Sequence, residues 1–223
     1  LGGDCFALIS PAGTDDVLAV NGSGRAAAAA DAEALRADGL TTIPPSSAHA
    51  ATVPAAVDAF CTMSDRWGKL GLADSLAPAI RYMDDGVPVS ARVAWDWVDC
   101  TPVLQGFAKA HYLHNGAMLK RGDIFSLPGQ AEVLRRLARN GRSAFYEGEV
   151  AEDMLAVLQD AGGVHTAEDF AQTACTLTEP LSGTYKGREL IEHPPNGQGV
   201  TALLLLNILS QFDIASMDPL SAE

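Results

Sequence analysis

Arg25 closes a glycine-rich run, Asn21-Gly-Ser-Gly-Arg25, that opens onto the alanines Ala26 to Ala30. A turn without β-carbons lets backbone and ligand approach closely, and an arginine at its exit offers a planar fork of donors to a carboxylate. The pattern reads as an anion clamp. The same residues also suit an ordinary turn followed by a solvated arginine, because Asn-Gly and Ser-Gly are common turn dipeptides. A second glycine turn, Gly2-Gly3-Asp4, supplies Asp4 as a polar neighbour, with glycines that suit either the floor of a site or close sheet packing. Near the other end, Pro194-Pro-Asn-Gly-Gln-Gly199 forms a rigid-then-flexible loop whose backbone N–H groups can start a helix or meet an anion.

Other constellations carry less chemistry. His111 and His114 have i, i+3 spacing, but no carboxylate joins them as a His-Glu-x-x-His site requires, and His49, His165 and His193 are scattered. No metal site is indicated. The pairs Asp15-Asp16 and Asp84-Asp85 are adjacent residues that point to different faces, so they make poor acid/base dyads. Trp95, Trp97 and Tyr112 suit core packing before ligand stacking. Cys5, Cys61, Cys100 and Cys175 lie far apart without a Cys-x-x-Cys pair, so buried free thiols are expected.

The elements that must position Arg25 follow from periodicity. Cys5 to Ile9 and Val17 to Val20 read as two short strands, followed by an alanine-rich helix from Ala26 to Ala37 that stops at Gly39. Pro54 suits the first turn of a helix reaching Trp67. Helices are then expected over 72–85 and 90–109, around Val133 to Ala138, and from Val150 to Ala161. Thr166 with Asp169 three positions on should cap a brief helix at Ala167. Period-two alternation returns between 173 and 192 as a hairpin turning at Lys186-Gly187, and 200–212 is apolar on nearly every side, which predicts a deeply buried helix in which Asn207 needs a partner. Strands at both ends around a helical block suit an α/β sandwich. With no linker or internal repeat, residues 1–223 read as a single domain.

Composition narrows the function classes. Of 223 residues, 48% are hydrophobic, enough for a substantial core, while 28 acidic against 15 basic residues give a formal charge of −13 that repels phosphate backbones and anionic membranes. Neither nucleic acid nor membrane is an expected partner. The longest apolar run, near Val200 to Leu206, falls far short of the roughly twenty residues of a bilayer span. The compartment, cytoplasmic or periplasmic, is left open.

Five motifs occur in order: Leu1-Gly-Gly-Asp-Cys-Phe6, Asn21-Gly-Ser-Gly-Arg-Ala26, Thr52-Val-Pro-Ala-Ala-Val57, Ala144-Phe-Tyr-Glu-Gly148 and Pro194-Pro-Asn-Gly-Gln-Gly199. Together they resemble the large subunit of the gamma-glutamyltranspeptidase family over essentially the whole chain. The resemblance implies an α/β (α+β) fold, the four-layer αββα sandwich of N-terminal nucleophile hydrolases, of which this chain is the large-subunit part. It also implies a γ-glutamyltransferase or amidohydrolase whose nucleophile is an N-terminal threonine. Self-cleavage of the precursor would place that threonine on a small subunit, the expected partner, outside this sequence. Thr41, Thr42, Thr52 and Thr166 do not replace it, since each has an acylated nitrogen and no free amine to act as base. Arg25 matches the family arginine that pairs with the α-carboxylate of a bound glutamyl group. No cofactor is implied, and the substrate is a small γ-glutamyl or related amide. Family members commonly have proline where Ala27 stands, and the form Asn-Gly-Ser-Gly-Arg also resembles the branch with oxamate amidohydrolase and acylase-like enzymes. A chain without the nucleophile is also compatible with a non-catalytic binding domain.

Overall fold

Side chains alternate between half-buried and exposed along Cys5-Phe-Ala-Leu-Ile9, and this segment forms β1 (Cys5–Ile9), antiparallel to β2 (Leu18–Gly22) with Ala7 opposite Val20 and Cys5 opposite Gly22. The computed structural model describes residues 2–222. The helix expected from Ala26 is much shorter: α1 spans only Ala32–Ala37. The N–H of Ala28 instead donates to Asp169 Oδ1 at 2.9 Å, and that of Ala30 to the Ala27 carbonyl at 2.9 Å. Asp31, extended at φ −123° and ψ 115°, accepts from the amides of Glu33 and Ala34. The preference of aspartate for a cap thus outweighs the helix propensity of the alanines before it.

Helix α2 (Ala56–Trp67) begins two residues after Pro54, and α3 (Gly71–Asp85) ends at Gly86, whose φ of 82° a residue with a side chain rarely adopts. The short β3 (Val87–Pro88) follows. The single helix expected over 90–109 is broken into α4 (Ala91–Cys100), a 3₁₀ turn at Thr101–Val103 and α5 (Gly106–Tyr112). Pro102 has no N–H to continue the ladder, and Gly106 takes φ 48°. Only one of the two tryptophans packs as expected: Trp97 meets the rings of Tyr112 and Phe125 at 6.1 and 5.0 Å, whereas Trp95 is 77% exposed.

Strands β4 (Leu113–His114) and β5 (Ala117–Met118) form a tight ribbon, and β6 (Ile124–Phe125) pairs with β3. Then come α6 (Pro128–Asn140), α7 (Ser143–Tyr146), α8 (Glu149–Asp160) and α9 (Ala167–Ala171). Their facing residues Leu134, Leu137, Phe145, Tyr146 and Phe170 are almost wholly buried. Arg142 lies over the Tyr146 ring and donates to the carbonyls of Ala171 and Thr173. The capping box at α9 is present as the sequence suggested, with Thr166 Oγ1 accepting from the Asp169 N–H and the Asp169 carboxylate accepting from that of Thr166.

Strand β7 (Thr176–Thr178) pairs with β2, making β2 the centre of a three-stranded antiparallel sheet. The hairpin of β8 (Leu181–Tyr185) and β9 (Arg188–Glu192) turns at Lys186 and Gly187, both at positive φ, as a two-residue turn matching strand twist requires. Helix α10 (Gly199–Leu209) contradicts the expected deep burial. Leu203 packs toward Gly183 of β8, but Leu204, Leu205 and Ile208 are each more than half exposed, and Asn207 is met by solvent. An all-round apolar helix is covered here on one side only.

Contacts group the described residues into two compact units. One comprises residues 2–25, 54–62 and 174–222, with a core of Ala19, Val20, Ala55, Val57 and Ala59; the other comprises 26–53 and 63–173, with the core of α6 to α9. Among the described residues, no helix is long and apolar enough to cross a membrane. All four cysteines are free; Cys61 is buried as expected of a thiol, whereas Cys100 is exposed.

Candidate functional site

The turn that carries Arg25 starts where β2 runs out at Gly22. A β-carbon there would stand 2.8 Å from the Ala59 Cβ and 2.9 Å from the Cys5 carbonyl, so only glycine lets the strand end rest directly on α2. Beyond it, the Ser23 N–H donates to Asn21 Oδ1 at 3.0 Å and the Gly24 N–H to Asp4 Oδ1 at 2.8 Å. The carboxylate of the first glycine turn therefore holds the second.

The loop before α10 braces the same turn. Asn21 Nδ2 donates to Asn196 Oδ1 at 3.4 Å, and Asn196 Nδ2 donates to Ser23 Oγ at 2.9 Å. His193 fastens the loop to the sheet, with Nε2 2.9 Å from the Val20 carbonyl, Nδ1 2.7 Å from that of Pro194, and its ring edge-on to Phe6. On the third side, Asp58 is 4% exposed and accepts from the Cys175 N–H at 2.6 Å, which fixes the start of β7. Burial pushes the Cys175 thiol pKa up; a hydrogen bond with Thr62 opposes this and the Asp58 carboxylate adds to it. That thiol is a structural group, held in its inert form.

These elements enclose a polar cavity of about 170 Å³ lined by Asn21, Ser23, Gly24, Arg25, Ala174, Thr176 and Asn196. Arg25 is exposed, makes no hydrogen bond or ion pair among the described residues, and is the one ionisable residue on the wall. A guanidinium with all its donors free beside neutral polar groups suits a small anion. Two larger depressions elsewhere are chemically poorer in this respect. One of about 410 Å³ has no charged residue, and one of about 240 Å³ is rimmed by Glu147, Glu152 and Glu168.

The structure thus brings Arg25 together with the Pro194–Gly199 loop and, through Gly24, with Asp4. The other candidates stand apart in role: Thr166 is occupied as a helix cap, and His111 and His114 lie on α5 and β4. No group of three or more metal-ligating side chains occurs among the described residues. Asn21, Thr176, Asn196 and Asp58 carry no individual signal in the sequence. Asn196 sits in the Pro194–Gly199 loop, but nothing in the sequence pairs it with a serine 173 positions away.

Comparison with known proteins decides the family. The gamma-glutamyltranspeptidase family model matches residues 1–223. The chain belongs to the gamma-glutamyltranspeptidase family. A glutathione hydrolase-like YwrD proenzyme of Bacillus subtilis (strain 168) is 34% identical over 221 residues, covering 98% of this chain and 42% of that protein. Among solved structures, a cephalosporin acylase from Bacillus halodurans matches with a TM-score of 0.88 and 35% identity, over 95% of this chain and 41% of the other. A gamma-glutamyltranspeptidase from Pseudomonas nitroreducens matches with a TM-score of 0.88 and 27% identity, over 99% and 67%. The chain spans about two fifths of the length of the curated relatives it matches. Its α/β fold is that of the gamma-glutamyltranspeptidase structures, as expected from the motifs. Several relatives are named as proenzymes.

Proposed function

We propose that this chain is the large-subunit portion of a gamma-glutamyltranspeptidase-like enzyme that cleaves or transfers a γ-glutamyl, or related acyl, amide. Its part is recognition: Arg25 grips the carboxylate of the acyl group and so presents the scissile carbonyl to a nucleophile supplied by the small subunit of the same precursor. That nucleophile is the N-terminal threonine, whose hydroxyl attacks the carbonyl carbon while its own α-amino group takes the proton. Holding the acyl group by a bidentate pair fixes position and orientation together, which is what acyl transfer needs from a residue outside the reacting atoms. Residues 1–223 belong to this reading as a single domain of the larger subunit.

The observation that carries the proposal is the Arg25 guanidinium, without a partner among the described residues, on the wall of an otherwise neutral polar cavity. At about 170 Å³ the cavity suits the acid end of an acyl group, not a whole drug-sized ligand, for which about 300 Å³ or more is usual. The likeness to a cephalosporin acylase favours a second reading of the acyl group, a related acid such as an oxamate or acyl amide in place of glutamyl. The test is Arg25→Lys in the full-length, processed protein, assayed on γ-glutamyl, oxamate and simple acyl amides. Lysine keeps the charge and loses the fork, so KM should rise for carboxylate-bearing substrates with little change in thermal stability. Equal kinetics for the two proteins on every substrate would rule the proposal out.

A further inference from the structure

The hydrogen bonds around the cavity have a direction that one backbone group dictates. The Ser23 N–H can only donate, so the Asn21 atom 3.0 Å from it is the carbonyl oxygen Oδ1, and the other end of that amide is the donor Nδ2. Asn21 Nδ2 faces Asn196 at 3.4 Å, so Asn196 receives it with Oδ1 and turns Nδ2 toward Ser23 Oγ at 2.9 Å. The opposite setting of the Asn196 amide would place two NH₂ groups against each other. Ser23 Oγ accepts in this chain, which leaves its own hydrogen to donate. The Asn196 NH₂ has two hydrogens, of which Ser23 takes one, and the second has no protein acceptor among the described residues.

The relay therefore ends in unspent donors. One Asn196 N–H and the Ser23 O–H belong to residues lining the same cavity as the free Arg25 guanidinium. Of the remaining polar wall, the Asn21 and Asn196 oxygens each already accept one hydrogen bond, and the Thr176 hydroxyl turns either way.

We infer that Asn196, with Ser23, is a specificity-determining residue that joins Arg25 in selecting an ionised carboxylate over its uncharged carboxamide isostere. An ionised carboxylate only accepts hydrogen bonds, and so suits the guanidinium of Arg25 with the free hydrogens of Asn196 and Ser23 beside it. A carboxamide of the same shape brings an NH₂ that must face one of them, and an unmatched polar contact is costly. The inference rests on the reading of Arg25 as the acid-binding group.

The experiment uses the full-length, processed protein and two probes: a γ-glutamyl anilide, and its counterpart in which the α-carboxylate is a carboxamide. The readout is the ratio of the two kcat/KM values. In Asn196→Ala the carboxylate substrate should lose about ten- to a hundredfold and the carboxamide little, so the ratio collapses. Asn196→Asp keeps an acceptor for Asn21 and can receive the Ser23 hydroxyl, but it loses the N–H and places a negative charge beside the ligand. Its ratio should fall further. A residue that merely braces the turn lowers both substrates together, so an unchanged ratio in either variant overturns the inference. Should Asn196→Ala fail to mature, Asn196→Gly, which also removes the N–H and adds no charge, takes its place. Arg25→Lys, run in parallel, separates the two claims. A lowered ratio there with an unchanged ratio in the Asn196 variants rejects this inference only, whereas an unchanged ratio in Arg25→Lys rejects the acid-site reading beneath it.

Discussion

The Arg25 turn and the α6–α9 helices are held by opposite kinds of force. Around Arg25, Asp4, Asn21, Ser23 and Asn196 are joined by hydrogen bonds between polar groups that are partly open to solvent. Around α9, Phe145, Tyr146 and Phe170 are all within 2% of complete burial. Burying a large apolar side chain stabilises by about two to three times as much as an average net hydrogen bond. The helices therefore carry stability, while the turn carries direction: it keeps donors aimed at one small volume. Changes in the helices should register in unfolding, and changes in the turn in KM.

The largest expected effect tests the stability side. Phe170 has no exposed surface, so Phe170→Ala removes its transfer energy and leaves a cavity, costing about 3–5 kcal/mol. Chemical denaturation should show a lower midpoint, and surviving folded enzyme should keep its wild-type KM. A raised KM at full folding would break the division. Next comes Arg25→Ala, which should lower kcat/KM for a carboxylate-bearing substrate on the order of 100-fold, or about 3 kcal/mol, with the thermal midpoint nearly unmoved. Arg25 has no protein partner among the described residues, so its removal leaves nothing unsatisfied. A marked fall in melting temperature would mean that the guanidinium holds the fold after all.

Gly22→Ala sharpens the comparison by touching both sides. Its β-carbon would meet Ala59 and the Cys5 carbonyl at under 3 Å, so the strand end must lift from α2. Overpacking of this kind costs roughly 1–3 kcal/mol. The displacement also reaches Ser23 and Gly24, so stability and KM should worsen together, in contrast to the two preceding variants. If thermal melting falls and KM does not, the turn is held by Asp4 and Asn196 alone.

What could be read from the sequence follows the same division. Local signals were legible because their physics is local. Thr166 and Asp169 announce a capping box three residues apart, Lys186-Gly187 announces a hairpin, and Gly86 marks the end of α3. Arg25 was legible as a glycine-flanked cation. Asn196 was not, since its partner Ser23 is 173 positions away and only the assembled sheet brings them together. Elsewhere one local preference overrides another: the alanines after Arg25 promise helix, but Asp31 and the Asp169 contact to Ala28 end that promise. The apolar circumference of α10 promises burial that the other described residues do not provide.

The smallest predicted effect concerns Asp169, where the helical region reaches the segment following Arg25. Burial raises the pKa of this carboxyl, but the Ala28 N–H, the Thr166 hydroxyl and N–H, and the nearby His165 together outweigh it, and the net shift is downward. A carboxyl whose pKa is lower in the folded state contributes stability that is fully present above its unfolded value of about 3.9 and is lost as pH falls through the folded value. In Asp169→Asn the charge is gone at every pH. Above about pH 5 the variant should be less stable by roughly 1 kcal/mol, the usual net worth of a hydrogen bond. On acidification below about pH 4 the two melting temperatures should converge, because the wild-type carboxylate is then being protonated. A gap that stays constant from pH 7 down to pH 2 would mean that Asp169 acts through shape and not through charge, and that its hold on Ala28 is a neutral hydrogen bond.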